Sequence, residues 1–166
     1  MENLYLIGFM GTGKSTVAKF FQDEYHMKLF EMDEEIVQQE QRSIADIFAG
    51  EGEAYFRNLE TALVKKFHSE TSLVVSCGGG TVLRPENVAM MKKSGKVVLL
   101  RAKPETILER VKQSTDRPLL NGNMNVEYIA ELMEKRKAIY ESSADLIIDT
   151  DGKSVREICR EIIGGK

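Results

Sequence analysis

Two cysteines, two histidines and no long apolar run narrow what this 166-residue chain can be. Cys77 and Cys159 fit no metal-ligand spacing and suggest no disulfide framework, so a reducing, cytoplasmic setting is the expectation. His26 and His68 are scattered, match no metal or triad pattern, and read as surface residues. No stretch nears the roughly 20 apolar residues of a membrane span. The apolar run in the opening MENLYLIGFMGTGKS is too short for a signal peptide and lacks a basic start. Positive charge is also in short supply. A formal net charge of −3 weighs against nucleic acid or an anionic membrane as a partner. No repeat, low-complexity tract or long linker is visible.

The length suits one domain spanning 1–166, and a domain near this size buries roughly 70% of its unfolded surface, enough to do without disulfides or structural metal. Short apolar runs suited to buried strands lie at Leu4–Ile7, Lys28–Met32, Leu73–Ser76, Val97–Leu100 and Leu146–Ile148. Helical patterns begin near Lys14, Glu34, Gly52, Pro85, Pro104, Val126 and Ser154. Pro85 and Pro104 suit a first helical turn, where a missing N–H costs little. Such alternation predicts an α/β fold: a doubly wound, five-stranded parallel sheet with helices on both faces and its ligand at the carboxyl ends of the strands.

Gly8-Phe9-Met10-Gly11-Thr12-Gly13-Lys14-Ser15 fits the phosphate-loop pattern G-x-x-x-x-G-K-[ST] completely, after a strand and before a helix. Glycines let successive backbone N–H groups face one anion, and the helix beginning at Lys14 adds its positive dipole end. Lys14 is expected on the β- and γ-phosphates of ATP and the Ser15 hydroxyl on Mg²⁺. No N-K-x-D base-reading segment of a GTPase is present. A loop so near the start of a short chain is the layout of small-metabolite and nucleoside monophosphate kinases, which also need an acceptor site and a cover against water.

Three further constellations are candidates for that site. Glu31 and Asp33 follow the second strand; one acid can orient water around Mg²⁺ and the other an acceptor hydroxyl, or Asp33 can simply cap the next helix. Gly78-Gly79-Gly80 follows the third strand, as a close approach to ligand or as a flexible turn. Neighbouring Cys77 reads as a small buried apolar side chain. The third is a set of arginines. Arg57 and Glu60 share a helix face, either as a carboxylate grip with its orienting acid or as an exposed pair worth about 0.3–0.5 kcal/mol. Arg136 lies in Glu134-Lys135-Arg136-Lys137, which alone reads as a solvated face. Arg117 lies in the polar stretch 113–125, read as a mobile lid whose arginine can neutralise charge on a transferring phosphoryl group.

Taken in order, GFMGTGKST, EMDEEI, SIADIFAGEGEAYFRNLE, SCGGGTVL, DRPLL and EKRKAIY resemble the shikimate kinase family over about residues 3–163. The SIADIF…GE..FR..E block and the triple glycine separate that family from gluconate and nucleotide kinases. The resemblance implies a P-loop kinase that transfers the γ-phosphate of ATP to the 3-hydroxyl of shikimate. It implies ATP contacts from Gly11, Thr12, Gly13, Lys14, Ser15, Thr16, Arg110 and Arg117, with Arg110 near adenine beside the loop Asp149–Ser154. Asp33 falls on the acceptor hydroxyls. Arg57 and Arg136 fall on the substrate carboxylate, with Gly78, Gly79 and Gly80 lining the pocket and Glu60 positioning Arg57. Lys14, Asp33 and Arg117 are thereby the catalytic candidates, Ser15 and (through water) Glu31 the metal candidates, and a cytoplasmic monomer the expected form. Two departures stand out: the family usually has Asp-x-Asp where this chain has Glu31-Met32-Asp33, and a bulkier apolar residue often stands at Cys77.

Overall fold

A central parallel sheet directs the carboxyl ends of its strands to one edge, and the loops bearing the phosphate motif and the triple glycine both leave from that edge. The structure is a computed structural model and describes residues 1–112 and 125–164. Strands β1 (Asn3–Ile7), β2 (Lys28–Glu31), β3 (Leu73–Ser76), β4 (Gly95–Arg101) and β5 (Leu146–Asp149) lie in the order β2-β3-β1-β4-β5, every pair parallel. Between and after them run α1 (Lys14–Tyr25), α2 (Met32–Glu40), α3 (Ile44–Glu51), α4 (Glu53–His68), α5 (Pro85–Ser94), α6 (Pro104–Val111), α7 (Val126–Ser143) and α8 (Val155–Gly164), with a 3-10 turn at Thr81–Leu83.

Alternate residues of each strand enter different cores, as the two-residue period of a strand requires. Tyr5, Ile7, Val75, Val97 and Leu99 pack under α4, α5 and α7, while Leu4, Leu6, Val74, Val98 and Leu100 pack under α1 and α8. Cover on both faces is why the strands read as unbroken apolar runs. The chain leaves β1 for β2 and β3 on one side, then crosses to β4 on the other. The β1–β3–β4 junction is therefore the topological switch point, where doubly wound sheets take their ligands.

One strand end differs from the sequence reading, and one helix is additional to it. Met32 is not the end of a strand but the first residue of α2, fully buried. Helix α3 is additional to the sequence patterns; Gly52, at φ 88°, separates it from α4, which begins at Glu53 as expected, and Ser43 caps α3 by accepting from the Asp46 N–H. The last helix begins at Val155, in keeping with the expected start near Ser154, whose hydroxyl accepts from the Glu157 N–H.

Candidate active site

The phosphate loop leaves β1 and turns into α1 through Gly11 (φ 79°) and Gly13 (φ 98°), in the left-handed region that favours glycine. Lys14 Nζ donates to the Gly8 carbonyl at 2.5 Å. Ser15 and Thr16 are exposed on the first turn of α1. The Thr12 side chain instead points inward, its hydroxyl donating to the Phe9 carbonyl at 2.8 Å. Helix α6 lies against the loop, since a methyl on Gly11 would meet Val111 and Ile107. Arg110 at the end of α6 donates from Nη1 to the Gly11 carbonyl at 2.8 Å. The far end of α6 is held by the loop after β5: Asp151 accepts from the Lys103 N–H at 3.0 Å and from the Thr106 hydroxyl. Thus α6 links the Asp149–Ser154 loop to the phosphate loop, with Arg110 at the phosphate-loop end.

The triple glycine follows β3, one strand over from the phosphate loop. Each glycine faces a different functional side chain. A Cβ on Gly78 would lie 2.8 Å from Asp33 Oδ1 and 3.0 Å from Glu60 Oε2. One on Gly79 would lie 3.3 Å from Arg136 Nη1. One on Gly80 would sit inside the Arg57 guanidinium. Lack of side chains here provides space rather than unusual backbone: φ at Gly80 is −106°, and Gly78 and Gly79 are not among the positive-φ residues. So α2 delivers Asp33, α4 delivers Arg57 and Glu60, and α7 delivers Arg136 to the same three-residue stretch. Asp33 sits in the first turn of α2, where the helix dipole favours a carboxylate. It is not the cap of that helix: Glu31 holds the N-cap position.

Arg57 and Glu60 are not an exposed pair. Arg57 Nη1 donates to Glu60 Oε1 at 2.7 Å, with the Glu60 side chain 1% exposed and that of Arg57 13%. Arg57 Nε donates to Glu53 Oε2 at 3.2 Å. Burial works against the Arg57 charge, but Glu60 and Glu53 outweigh it and keep the guanidinium firmly protonated. Burial also pushes the Glu60 carboxyl above its ordinary value, against the pull of Arg57 and of a hydrogen bond from Thr81. Arg136 is half-buried rather than solvated, and its charge lies near Tyr140, one turn on in α7. The Tyr140 hydroxyl donates to the Gly79 carbonyl at 2.7 Å, tying α7 to the glycine loop. Burial drives the Tyr140 phenol up, so it stays a neutral donor.

Glu31 ends β2, half-buried and in register with Ser76 of β3. Cys77 is buried among apolar neighbours, its thiol pushed up to about 12. Arg117 and residues 113–124 of the expected lid lie outside the described residues; Asn125 caps α7 by accepting from the Tyr128 N–H at 2.8 Å. A cavity of about 660 Å³ lies elsewhere, between α7 and the β4–β5 face behind Phe9; Asp33, Arg57 and Arg136 do not line it. Three side chains of the cluster have no role assigned in the sequence reading, although its motifs contain them: Glu53, Thr81 and Tyr140. The four-residue spacings Glu53–Arg57 and Arg136–Tyr140 were available signals. For Thr81, which reaches Glu60 from another element, nothing local was.

Comparison with known proteins places the chain in a family. The shikimate kinase family model matches residues 10–164. A shikimate kinase of Persephonella marina is 45% identical over 99% of this chain and 98% of its own length. Among solved structures, shikimate kinase from Acinetobacter baumannii in complex with shikimate superposes with a TM-score of 0.88 at 31% identity, over 98% of this chain and 91% of that one. Shikimate kinase from Aquifex aeolicus superposes at 0.80 with 38% identity, over 97% of this chain and 94% of that one. This chain belongs to the shikimate kinase family.

Proposed function

We infer that the chain is a shikimate kinase, transferring the γ-phosphate of ATP to the 3-hydroxyl of shikimate to give shikimate 3-phosphate and ADP. One observation carries the reading at this chain's own residues: the Arg57 and Arg136 guanidinia flank adjacent glycines, Gly80 and Gly79, beside Asp33 and one strand from a complete phosphate loop. Two guanidinia at a small concave stretch suit a carboxylate, which arginine grips with a planar fork. A net-acidic protein needs such a local positive pocket to attract an anionic substrate.

In this reading Arg57 and Arg136 hold the substrate carboxylate and Asp33 meets the hydroxyl that reacts. That oxygen attacks the γ-phosphorus, its proton passes to Asp33, and the bond from phosphorus to the ADP oxygen breaks. The loop N–H groups and Lys14 hold the phosphates and offset their charge as it shifts toward ADP. Arg110 borders the nucleotide, and Arg117 is assigned to the phosphates on the family resemblance alone. Mg²⁺ fits as a cation held mainly by phosphate and water: Ser15 is exposed at the loop, Glu31 stands at the neighbouring strand end, and no cluster of three or more His, Cys, Asp or Glu able to hold a metal occurs among the described residues. When bound it would neutralise phosphate charge. No helix among the described residues is long and apolar enough to cross a membrane; a cytoplasmic monomer without nucleic-acid partners completes the proposal.

The test is ADP release from MgATP with shikimate, quinate or gluconate as acceptor. Turnover with shikimate well above the other two is the expected result. Equal or better turnover with gluconate would overturn the assignment.

A further inference from the structure

We propose that Thr81 is a positioning residue for the substrate-binding arginine: its hydroxyl fixes one oxygen of the Glu60 carboxylate so that the other is presented to Arg57. The proposal rests on the reading that Arg57 grips the substrate carboxylate. Glu60 reaches Arg57 through Oε1 at 2.7 Å, and Thr81 Oγ1 donates to Oε2 at 3.1 Å. A single bond to Arg57 would leave a three-torsion side chain free to swing. A second donor from another element fixes the plane of the carboxylate.

Thr81 is itself held from both sides. Its N–H donates to the Gly78 carbonyl at 3.2 Å, and its own carbonyl accepts from Asn87 Nδ2, in the first turns of α5, at 2.9 Å. Glu60, Thr81 and Asn87 are each at most 1% exposed. The chain Asn87–Thr81–Glu60–Arg57 therefore runs through protein rather than solvent and joins α5 to the arginine on α4. Thr81 Oγ1 also lies 3.8 Å from Met32 Sδ. A hydroxyl has one proton to give, and a carboxylate is a far stronger acceptor than a thioether.

Burial makes the hydroxyl consequential. A buried acceptor that loses its partner keeps its desolvation penalty, and an ionised one keeps more of it. Without the Thr81 hydroxyl, Glu60 takes up a proton at higher pH, and Arg57 then loses its buried counter-charge and keeps only the exposed Glu53. Facing this carboxylate are Arg57, backed by Glu53, on α4, Asp33 on α2 and the Cys77 thiol after β3. Cys77 stays neutral throughout, and Asp33 adds to the rise of Glu60.

The experiment is a steady-state comparison of Thr81→Val, which keeps the shape and drops the hydroxyl, with Thr81→Ser and the parent. Valine is expected to raise KM for shikimate about ten-fold, leave KM for ATP unchanged and move the acid limb of kcat/KM to higher pH, with serine restoring both. If valine does not fold, by thermal melt, Thr81→Ala removes the same hydroxyl without crowding Met32. A double-mutant cycle with Arg57→Ala separates positioning from general loosening. If Thr81 acts through Arg57, valine adds nothing on the Arg57→Ala background. An undiminished effect there, or a parental KM and acid limb in Thr81→Val, overturns the role of Thr81 and leaves the grip standing. An unchanged shikimate KM in Arg57→Ala overturns both.

Discussion

Glu60 holds Arg57 across one turn of α4 at 2.7 Å, with the carboxylate sealed from solvent and the guanidinium almost so. Glu60 therefore acts on the site through Arg57, and the two stand or fall together. Breaking such a buried pair on one side leaves an uncompensated charge, which costs far more than a surface pair returns.

Arg57→Lys tests the geometry of the grip at constant charge. Arg57 spends Nε on Glu53 and Nη1 on Glu60, so in the proposed grip Nη2 is the nitrogen for the substrate carboxylate. A lysine has one nitrogen and cannot bond both acids and a ligand in that planar arrangement. KM for shikimate should rise about ten-fold or more while KM for ATP stays within two-fold or so. Calorimetry showing parental shikimate affinity would contradict the grip.

The pH dependence follows from Glu60. Burial raises its carboxyl above the ordinary value, and Arg57 and Thr81 pull it back only in part. As pH falls through that raised value, Glu60 is protonated and Arg57 loses its buried counter-charge, keeping only the exposed Glu53. The acid limb of kcat/KM for shikimate is expected above the range of an ordinary glutamate, and Glu60→Gln should remove it at a lowered plateau. Stability carries the opposite sign. The native state binds this proton more tightly than the unfolded chain, so the contribution of Glu60 is full below its unfolded pKa and is lost as pH rises through the folded one. Mild acidification should thus lower kcat/KM without Glu60 lowering Tm. A limb at the ordinary carboxylate pH would show that Glu60 is not the group titrating.

The same pair marks the limit of what the sequence could convey. The strands were legible because both faces of the sheet are covered, which turns each into an apolar run. The phosphate loop was legible because its chemistry is local, residue by residue. Met32 misled because a fully buried apolar residue straight after a strand looks like more strand. It belongs to α2, under Thr81. Helix α3 was hidden by its length of eight residues, although Ser43 and Asp46 carry a cap signal. Arg57 and Glu60 could be paired by spacing, but their burial depends on the glycine loop and α7, far along the chain. The Thr81 hydroxyl had no local signature at all, since its partner lies 21 residues away.

Lys14→Ala should lower kcat by about 10²–10³-fold or more, the cost of removing one electrostatic donor to a transition state. The lysine is part-buried beside the Gly8 carbonyl and belongs to neither core, so circular dichroism and Tm should match the parent. A folded variant with near-parental kcat would remove Lys14 from the reaction.

Both thiols should be silent in the native protein. Cys77 and Cys159 are buried, with burial raising their pKa values to about 12 and about 11. Only the thiolate reacts with disulfide reagents. Titration at pH 8 should find no fast-reacting thiol when folded and two after denaturation. A fast thiol in the native state, mapped to Cys77, would mean the wall behind the glycine loop opens to solvent.

The glycine loop permits the sharpest test, because its three members face different groups at different clearances. Gly80 has an ordinary backbone at φ −106°, ψ 6°, so alanine there adds no torsional strain. Its Cβ would fall within the Arg57 guanidinium. The backbone is held by the bond from the Leu83 N–H to the Gly80 carbonyl at 3.1 Å, so the arginine is the part that moves. Moving it off Glu60 strands a buried carboxylate, and moving it off the substrate loses the grip. At Gly79 the nearest atoms are Arg136 Nη1 at 3.3 Å and Tyr140 Oη at 3.6 Å, which a shift of a few tenths of an ångström relieves. Gly80→Ala should therefore raise KM for shikimate by about ten-fold or more, and Gly79→Ala by clearly less, with KM for ATP little changed in both. Gly8→Ala is the contrasting control: at φ 145°, and with its Cβ driven into the Leu100 carbonyl, it should disturb the phosphate loop and the fold rather than shikimate binding. If Gly79→Ala and Gly80→Ala weaken shikimate binding equally, or if Gly80→Ala acts through a lowered Tm, the close approach of Arg57 is not what the third glycine serves.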